Sequence, residues 1–454
     1  MTVLAPSPPP QPAVVLSADE KLSTSAVERK IRSMGFGMFQ LWQLSLISCV
    51  WFLKGAGDYI FTRIYQSEPS ANAFLTVTAA LSGRSAAYFV SSFVPSRRFG
   101  ILVSLLLTCA SLLIFTILPP ALTSLAFFSF ALAFGLPPSY ALARDILPRK
   151  FTVLGFGLLG VANVLGGFFG FFCEWLGAAT VPETAWMEAA QLLIIPGLLS
   201  LAVCSSQIHE SGVYLAQKGM YVEVNILLKK IAVWNAKEGR VRFVAGSDDD
   251  GVEEPEDAGC LHVVKGLLSP ATDATRTLIR KPGGLKILTG FALSSCIFSF
   301  FYFRVGAGFE VVAAANAAAV VLATILLLRI SRKMQLGALL VMLSGGYLAF
   351  LGKTGHFRGY GELGFLLGAA ALKIAADGEV VSFFDGRERV AGVAMCLGFA
   401  TSLQSGLEFA ASVGINAQEI FFAFCVIGAA VVLATGWTGE TDETVLEEKE
   451  KLIS

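Results

Sequence analysis

The feature that most constrains this chain is the recurrence of apolar stretches about 20 residues long. As an α-helix, a stretch of that length crosses the roughly 30 Å hydrocarbon core of a bilayer. Because lipid offers no hydrogen-bond partners, such segments must satisfy their backbone groups internally and are therefore helices. The composition agrees, since 55% of the 454 residues are hydrophobic and only 15% are charged, which is little charge for a soluble protein. The sequence predicts an all-α membrane protein.

The apolar stretches form two groups of six, separated by nearly 80 residues that contain most of the remaining polar sequence. The twelve predicted spans are 36–57, 73–94, 100–118, 121–143, 153–176, 186–206, 285–303, 306–328, 334–352, 360–383, 391–413 and 418–437. We therefore expect a disordered cytosolic N-terminal tail, a six-helix bundle, a cytosolic linker, a second six-helix bundle and a cytosolic C-terminal tail, at residues 1–33, 34–206, 207–284, 285–437 and 438–454.

The linker combines a segment of helical periodicity with one that favours disorder. Between Glu210 and Lys237, apolar residues recur at a spacing that places them on one helix face. These residues are Val224, Leu227, Leu228 and Ile231. Residues 247–257 are acidic and poor in apolar side chains, a composition that is typical of disordered segments.

The distribution of basic residues orients the chain in the membrane. With twelve spans and a cytosolic N-terminus, the inner segments hold 27 of the 34 Lys and Arg residues. This asymmetry satisfies the positive-inside rule and predicts that both termini face the cytosol. The two halves also share a basic turn after their second helix, Pro95-Ser-Arg-Arg98 in one and Ile330-Ser-Arg-Lys333 in the other. Together with the spacing of the spans, this echo favours a duplicated transporter fold.

Several classes of function are disfavoured. The formal net charge is zero, so nothing points to a nucleic-acid partner. The three His residues lie far apart and the cysteines are scattered through apolar runs, so neither a metal site nor a cofactor is predicted. The chain has no G-x-x-x-x-G-K-[ST] loop, and no paired His/Asp or Ser/His arrangement falls at membrane depth. Neither an ATP-driven pump nor an enzyme is therefore indicated.

Four short motifs occur in order along the chain. Gly35-Phe-Gly-Met-Phe-Gln40 enters the first span, and Asp145-Ile-Leu-Pro148-Arg-Lys150 follows the fourth. The sixth span is followed by Glu210-Ser211, Lys218-Gly219 and Leu228-Lys-Lys-Ile-Ala232 with Asn235, and the twelfth by Glu440-Thr441 with Leu446-Glu447. In these motifs the chain resembles the major facilitator superfamily, and within it the branch of the synaptic-vesicle-two-related and organic-ion transporters. Short outer loops and the lack of any Asn-x-Ser/Thr acceptor make it most similar to the non-glycosylated, synaptic-vesicle-two-related subgroup.

This resemblance implies twelve transmembrane helices in two pseudo-symmetric six-helix bundles, which rock about a central substrate path. It also implies cytosolic gating motifs, carried here by Arg97, Arg98, Asp145, Pro148, Arg332, Lys333, Arg389, Glu210 and Glu440. Two segments depart from the family pattern. Residues 93–98 keep the arginines of the turn after the second span without its acid, and residues 382–389 keep only the arginine of the motif after the tenth span. These losses argue against the family's usual charge network at the gate.

Ionisable side chains inside the spans are the candidate binding residues, because each costs roughly 2.5–3.5 kcal/mol at the bilayer centre. Lys54 with Asp58, and Lys373 with Asp377, are spaced four residues apart and so share a helix face. Arg84 and Glu379 are the other two candidates. One hypothesis is that Asp58 and Asp377 line a hydrated cavity and bind a cation or proton. The alternative is that each Lys–Asp pair only neutralises itself and orients its helix.

These observations predict a secondary transporter that works by alternating access. Its partners would be the lipid bilayer and a small organic solute, with a proton or another cation as a coupling ion. The rival prediction is a transport-inactive scaffold, receptor or subunit of a membrane complex, which the missing motif acids favour. A polar cavity between the halves would support transport, whereas a core filled by Phe and Leu would support the scaffold.

Overall fold

The structure is a computed structural model of the chain. It describes residues 24–67, 70–94, 96–117, 122–148, 151–178, 185–235, 260–281, 318–325, 356–386 and 388–412, together with positions 284, 287, 288, 290–292, 294 and 295. All regular elements within these residues are helices, which confirms the predicted all-α class. The ninth and twelfth predicted spans and the acidic segment 247–257 lie outside the described residues.

We number thirteen helices of the described part of the chain in chain order; residues 318–325 are also helical. They are α1 (Thr24–Met34), α2 (Met38–Ser67), α3 (Ser70–Ser91), α4 (Arg97–Ile117), α5 (Leu122–Phe134), α6 (Leu136–Ile146), α7 (Thr152–Ala178), α8 (Ala185–Gln207), α9 (Gly212–Gln217), α10 (Tyr221–Trp234), α11 (Cys260–Arg280), α12 (His356–Phe383) and α13 (Arg389–Ser412).

Five segments are both long and apolar enough to cross a membrane, counting only the described residues: Met38–Ile64, Arg97–Phe115, Leu122–Ile146, Thr152–Gly177 and Met187–Gln207. They correspond to predicted spans one, three, four, five and six. Helices α3, α12 and α13 have 22, 28 and 24 residues, and at 1.5 Å per residue each is also long enough to span. The fourth span is interrupted at Gly135, because Pro137 and Pro138 follow at the start of α6 and cannot donate to the preceding turn.

The two halves of the chain pack against each other along several helices. In the first half, α2 packs on α7, α3 on α5 and α4 on α8. Helix α13 of the second half packs on α3 and α6, and α12 packs on α7. Apolar residues from both halves therefore belong to one buried cluster that includes Ile47, Phe156 and Phe384.

The contact between α2 and α7 is made close by glycines, as expected for the Gly166-Gly-Phe-Phe-Gly170 segment of the fifth span. A Cβ atom on Gly166 would overlap the carbonyl oxygen of Phe52, and one on Gly55 would overlap the carbonyl oxygen of Asn163. The backbones of the two helices are thus in direct contact, which only glycine permits at these positions.

The boundary of the predicted disordered tail was wrong, because residues 24–34 form helix α1. Its buried residues Val27, Ile31 and Met34 recur at helical spacing and pack on α10. There they meet Val224, Leu227, Leu228 and Ile231, which confirms the apolar face predicted for this part of the linker. Gly35 ends α1 with a φ of 70°, and Gly219 ends α9 with a φ of 73°, a left-handed conformation that glycine adopts without a steric cost.

The linker also contains a helix that the sequence analysis did not predict. Helix α11 packs on α13 of the second half, where Thr277 donates a hydrogen bond to Glu388 at 2.7 Å. Helices α1, α9, α10 and α11 lie at the same end of the bundle as residues 96–98, 145–148 and 385–389, and we call this the linker end. It is the end that the charge distribution assigned to the cytosol.

Candidate functional site

The first group of intramembrane charges is a triad of Lys54, Asp58 and Arg84, which we call the Asp58 triad. Asp58 lies inside α2, well before the end of that helix at Ser67, and not at the rim of a shorter span. Its carboxylate binds the Lys54 ammonium at 2.5 Å through one oxygen and the Arg84 guanidinium at 2.6 Å through the other. One carboxylate therefore joins two cations from α2 and α3.

The second group is the pair of Lys373 and Asp377 on α12, which we call the Asp377 pair. The two side chains form a short ion pair, and the Lys373 ammonium also donates to the Tyr140 hydroxyl at 3.0 Å. Tyr140 belongs to α6 of the first half, so this lysine joins the two halves. Asp377 is 4% exposed, and at that burial an ionised carboxylate needs a partner such as Lys373.

A cavity of about 110 Å³ connects the two groups. Lys54 and Arg84 line it from the first half, and Lys373 and Asp377 line it from the second. Asp58 does not itself line the cavity, but both of its partners do. Four of the six sequence-predicted candidates thus line one space, whereas Asp58 reaches it only through its partners and Glu379 lies on α12 outside the lining.

Aromatic rings form part of the cavity wall. The Tyr140 ring stands between Trp51 and Phe156, with ring centroids 5.0 and 5.3 Å away, and the Trp51 indole donates to Ser139 at 3.1 Å. The ring of Phe291 lies 4.8 Å from the Lys373 ammonium. A solute in this cavity would contact flat apolar surfaces as well as charged groups, a combination typical of small-molecule sites.

Two buried polar atoms of the lining have no hydrogen-bond partner in the described part of the chain. They are Oδ1 of Asn163 and Oγ of Ser295. Buried polar groups are almost always hydrogen-bonded, so these two atoms can bind a polar solute. Neither residue was predicted, although Asn163 is an isolated amide within an apolar span and its position was the available signal.

A second set of charges meets at the linker end, around Asp145. This carboxylate, which follows the fourth span, binds the Arg97 guanidinium at 3.4 Å and forms a short ion pair with Arg389. Arg97 belongs to the first half and Arg389 to the second, so Asp145 joins both halves. We call these residues the Asp145 network.

Other contacts across the linker end reinforce the Asp145 network. Arg97 donates to the carbonyl oxygen of Gly386, and Arg144 donates to the Ser382 hydroxyl at 3.1 Å. Glu28 of α1 binds Arg389 at 3.4 Å. Residues 93–98 and 382–389 lack the motif acids of the resembled family, and at this end Asp145 and Glu28 supply carboxylates from other segments.

Glu210 and Ser211 organise the same end of the first half. The Glu210 carboxylate accepts from the backbone N–H groups of Arg97 and Arg98 at 3.2 and 3.4 Å, and the Ser211 hydroxyl donates to Asp145 at 2.5 Å. Arg98 itself donates to the Ser205 carbonyl oxygen at 2.8 Å. Pro148 is buried just beyond α6, and its carbonyl oxygen accepts from Phe151 at 2.9 Å.

The motif at the start of the first span meets the motif of the linker. Gln40 accepts hydrogen bonds from the Gly37 backbone at 3.0 Å and from the Asn235 side chain at 2.9 Å. Nearby, the His209 ring lies 2.7 Å from the Lys230 ammonium. Burial and the positive charges of Lys230 and Arg98 lower the pKa of His209 to about 4, so the ring is neutral at physiological pH.

Three predicted gating residues, Arg332, Lys333 and Glu440, lie outside the described residues. Conversely, the contacts of Glu28, Tyr140 and Arg144 between the halves were not predicted from the sequence. Glu28 follows Val27 on a helix whose apolar spacing was the signal, and Tyr140 is a polar ring within an otherwise apolar span. For Arg144, the only signal in the sequence was its position in a basic turn.

No protein-family model matches this chain, and no curated protein sequence matches it significantly. Solved structures do resemble it. The proton:xylose symporter XylE bound to 6-bromo-6-deoxy-D-glucose has 13% identity and a TM-score of 0.63, over 90% of this chain and 96% of that one. XylE from E. coli in a partially occluded inward-open conformation has 12% identity and a TM-score of 0.61, over 92% and 99% of the two chains.

The human organic anion transporter MFSD10 is a third similar structure, with 15% identity and a TM-score of 0.52 over 89% of this chain and 99% of that one. At these identities the likeness establishes the fold and nothing finer. The chain has the twelve-helix major facilitator fold predicted from the sequence, and it is an integral membrane protein. The solved structures it resembles are transporters rather than enzymes.

Proposed function

We propose that this protein is a secondary active transporter that moves a small organic solute across a membrane by alternating access. The observation that carries the proposal is the cavity between the two halves, with the Asp58 triad on one side and the Asp377 pair on the other. The fold supports the same function, because in this architecture the substrate path runs between the two bundles. A scaffold would have no need to keep costly charges beside a cavity at bilayer depth.

The two carboxylates are the proposed functional groups of the site. Asp58 and Asp377 each hold a cation that lines the cavity, so a proton or another cation arriving at either carboxylate would loosen the ion pairs around it. Such a change would alter the charge around a solute in the cavity. Movement of the cation would thereby be coupled to movement of the solute. The Asp145 network is proposed to close the path at the linker end, since its bonds join the halves there.

The sequence motifs support a diverged relative of the synaptic-vesicle-two-related branch, and the fold supports the wider superfamily. The proposed orientation places the linker end, and with it both termini, in the cytosol. In this arrangement Arg97, Arg98, Asp145, Pro148, Glu210 and Arg389 serve the cytosolic gate, as do Arg332, Lys333 and Glu440 beyond the described residues.

Uptake into proteoliposomes by the purified protein tests the proposal. A screen with labelled sugars, organic cations and organic anions should identify at least one transported solute. Asp58→Asn and Asp377→Asn should each reduce its uptake about tenfold or more, because each change leaves a buried cation without its partner. Asp273→Asn, which alters an exposed pair on α11, is the matched control and should transport normally.

If both Asn variants transport like the unaltered protein at every pH, the assignment of these carboxylates is wrong. If no solute of any class moves while the protein remains folded, the scaffold function becomes the better account of the chain.

A further inference from the structure

Among the described residues, the charges around the cavity do not balance. In the Asp58 triad, two cations share one carboxylate, whereas the Asp377 pair contains one charge of each sign. Among the described residues that line the cavity, Lys54, Arg84 and Lys373 are cationic and only Asp377 is anionic. When Asp58 is counted with its partners, one positive charge remains in excess.

This excess charge is held in place and is not free to reach water along a flexible side chain. Arg84 donates to Asp58 at 2.6 Å and to the Ser129 hydroxyl at 3.3 Å, and its guanidinium lies 5.9 Å from the Phe61 ring centroid. The side chains of Arg84 and Lys54 are 13% and 22% exposed. A fixed cation at bilayer depth is costly unless an anion is nearby, and the cavity is the space that both cations share.

The polar atoms of the lining restrict the ligand further. Oδ1 of Asn163 only accepts hydrogen bonds, and it is buried without a partner among the described residues. A chloride ion offers nothing to this atom, whereas an organic molecule with an N–H or O–H group can donate to it. The hydroxyl of Ser295, also buried and unpartnered, can accept or donate.

From this charge excess and these acceptors we infer that the cavity binds a small organic monoanion that also carries a hydrogen-bond donor. The inference rests on the proposed function, because it names the class of solute that the transporter moves. The anionic group lies against Arg84 and Lys54, and the aromatic wall of Trp51, Tyr140 and Phe156 contacts the carbon skeleton.

A series of nearly isosteric four-carbon probes tests the charge requirement directly. Succinamide is neutral, succinamate carries one negative charge and an amide donor, succinate carries two negative charges at pH 7.5, and 4-aminobutanamide is a cation. A ligand that binds the folded protein raises its melting temperature, by more the further its concentration exceeds the Kd. In chloride-free buffer, succinamate should stabilise the protein and the neutral and cationic probes should not.

Two variants make the test specific to the triad. Arg84→Gln removes the excess charge and should weaken succinamate binding about tenfold or more. Asp58→Asn leaves both cations without a carboxylate, so the preference should move from succinamate to succinate. The matched control is Arg63→Gln, since Arg63 pairs with Glu174 at 2.8 Å outside the cavity lining; it should bind succinamate like the unaltered protein.

Three results would overturn the inference: no response to succinamate, an equal response to succinamide, or stabilisation by chloride that succinamate does not compete with. Failure of the proposed function looks different. Uptake of a sugar or an organic cation that depends on Asp377, with no anion response, would refute the anion and leave transport standing. Binding of succinamate without uptake of any solute would support the anion site and refute transport.

Discussion

At the scale of single residues, Asp145 is a carboxylate shared by two buried arginines, one from each half of the chain. It binds Arg97 and Arg389 and accepts from Ser211, and its side chain is completely buried. A buried charge is stable only if it is paired, and here the two arginines are themselves 1% and 3% exposed. The three residues therefore depend on one another.

Replacing Asp145 by Asn should destabilise the protein strongly. The change removes the carboxylate that the two buried guanidinium groups share, and breaking a buried pair in this way costs about 3–5 kcal/mol. Thermal unfolding in detergent measures the loss. Asp273→Asn on α11 is the control, because its pair with Arg276 is exposed and should change stability by less than about 1 kcal/mol. Equal stability of the two variants would show that Asp145 is not paired as described.

His209 should make the linker end sensitive to acid. Its pKa in the folded protein is about 4, below the value of about 6.5 that it has when unfolded. Between these values the unfolded chain binds more protons, so stability is complete above pH 6.5 and falls as the pH drops towards 4. Melting temperatures measured from pH 7.5 to 4.5 should show this decline.

Two variants identify His209 as the source of the decline. His209→Gln should flatten the profile, because the titrating ring is gone. Lys230→Gln should flatten it in part, since loss of the neighbouring positive charge raises the pKa of His209, while burial, the larger cause, still lowers it. A profile that is unchanged in both variants would exclude this residue.

At the scale of the helices, the contact between α2 and α7 determines the position of the α2 residues at the cavity. Gly55 and Gly166 bring the two backbones together, and α2 carries Trp51, Lys54 and Asp58. Any increase in the distance between these helices would therefore displace one side of the Asp58 triad. Small residues at this contact are a structural requirement, and they also determine the position of the site.

Gly166→Ala should consequently cost about 1–3 kcal/mol of stability, the usual penalty for overpacking. Its methyl group would overlap the Phe52 carbonyl oxygen, which cannot move without the whole helix. Gly406→Ala on α13 is the matched control, because a Cβ there meets nothing within 4 Å. Thermal unfolding should separate the two variants, and a Gly166→Ala protein as stable as the control would contradict the close contact.

The ends of a helix were predictable from hydropathy where contact with lipid alone determines its apolar length. The third span, expected at 100–118, is found at Arg97–Ile117. The first was expected to end at residue 57, yet α2 continues to Ser67. A hydropathy profile ends the span where Asp58 and Arg63 occur, because both are charged. In the protein, Arg84 pairs with Asp58 and Glu174 pairs with Arg63, each from another helix. Local composition contains no information about partners so distant in sequence.

The candidate site was predictable to the same degree. Spacing alone identified the Lys54–Asp58 and Lys373–Asp377 pairs, because ionisable residues are conspicuous in apolar helices. It did not show that Arg84 shares the carboxylate of Asp58, or that Tyr140 contacts Lys373. Those contacts depend on how the two halves pack, as does the joining of Glu28 to Arg389 across 361 positions of sequence.

At the scale of the whole molecule, the described contacts show the halves joined at the linker end. Arg144 of α6 meets Ser382 of α12, Arg97 meets Gly386, and Asp145 meets Arg389. The alternating access proposed for this protein requires these contacts to separate in each cycle, since the cavity would have to open in turn to both sides of the membrane.

Linking the halves at this point should therefore stop transport. In a variant with cysteines at Arg144 and Ser382, a short, cleavable, bifunctional thiol reagent should abolish uptake, and cleavage of the reagent should restore it. Cysteines at Arg63 and Glu174 provide the control, because both positions lie within the first half and their linkage should leave uptake intact. Full uptake by the Arg144/Ser382 linked protein would exclude opening at the linker end.

Helix α1 has a practical consequence for anyone who expresses this protein. Because Glu28 reaches Arg389 while Val27 and Ile31 are buried against α10, residues 24–34 are part of the folded molecule. A truncation that begins after Met34, or a fusion partner attached directly before Thr24, would disturb the very contacts that join the halves. A purification tag is better placed upstream of residue 24 behind a flexible spacer, so that measurements report on the intact contacts between the halves.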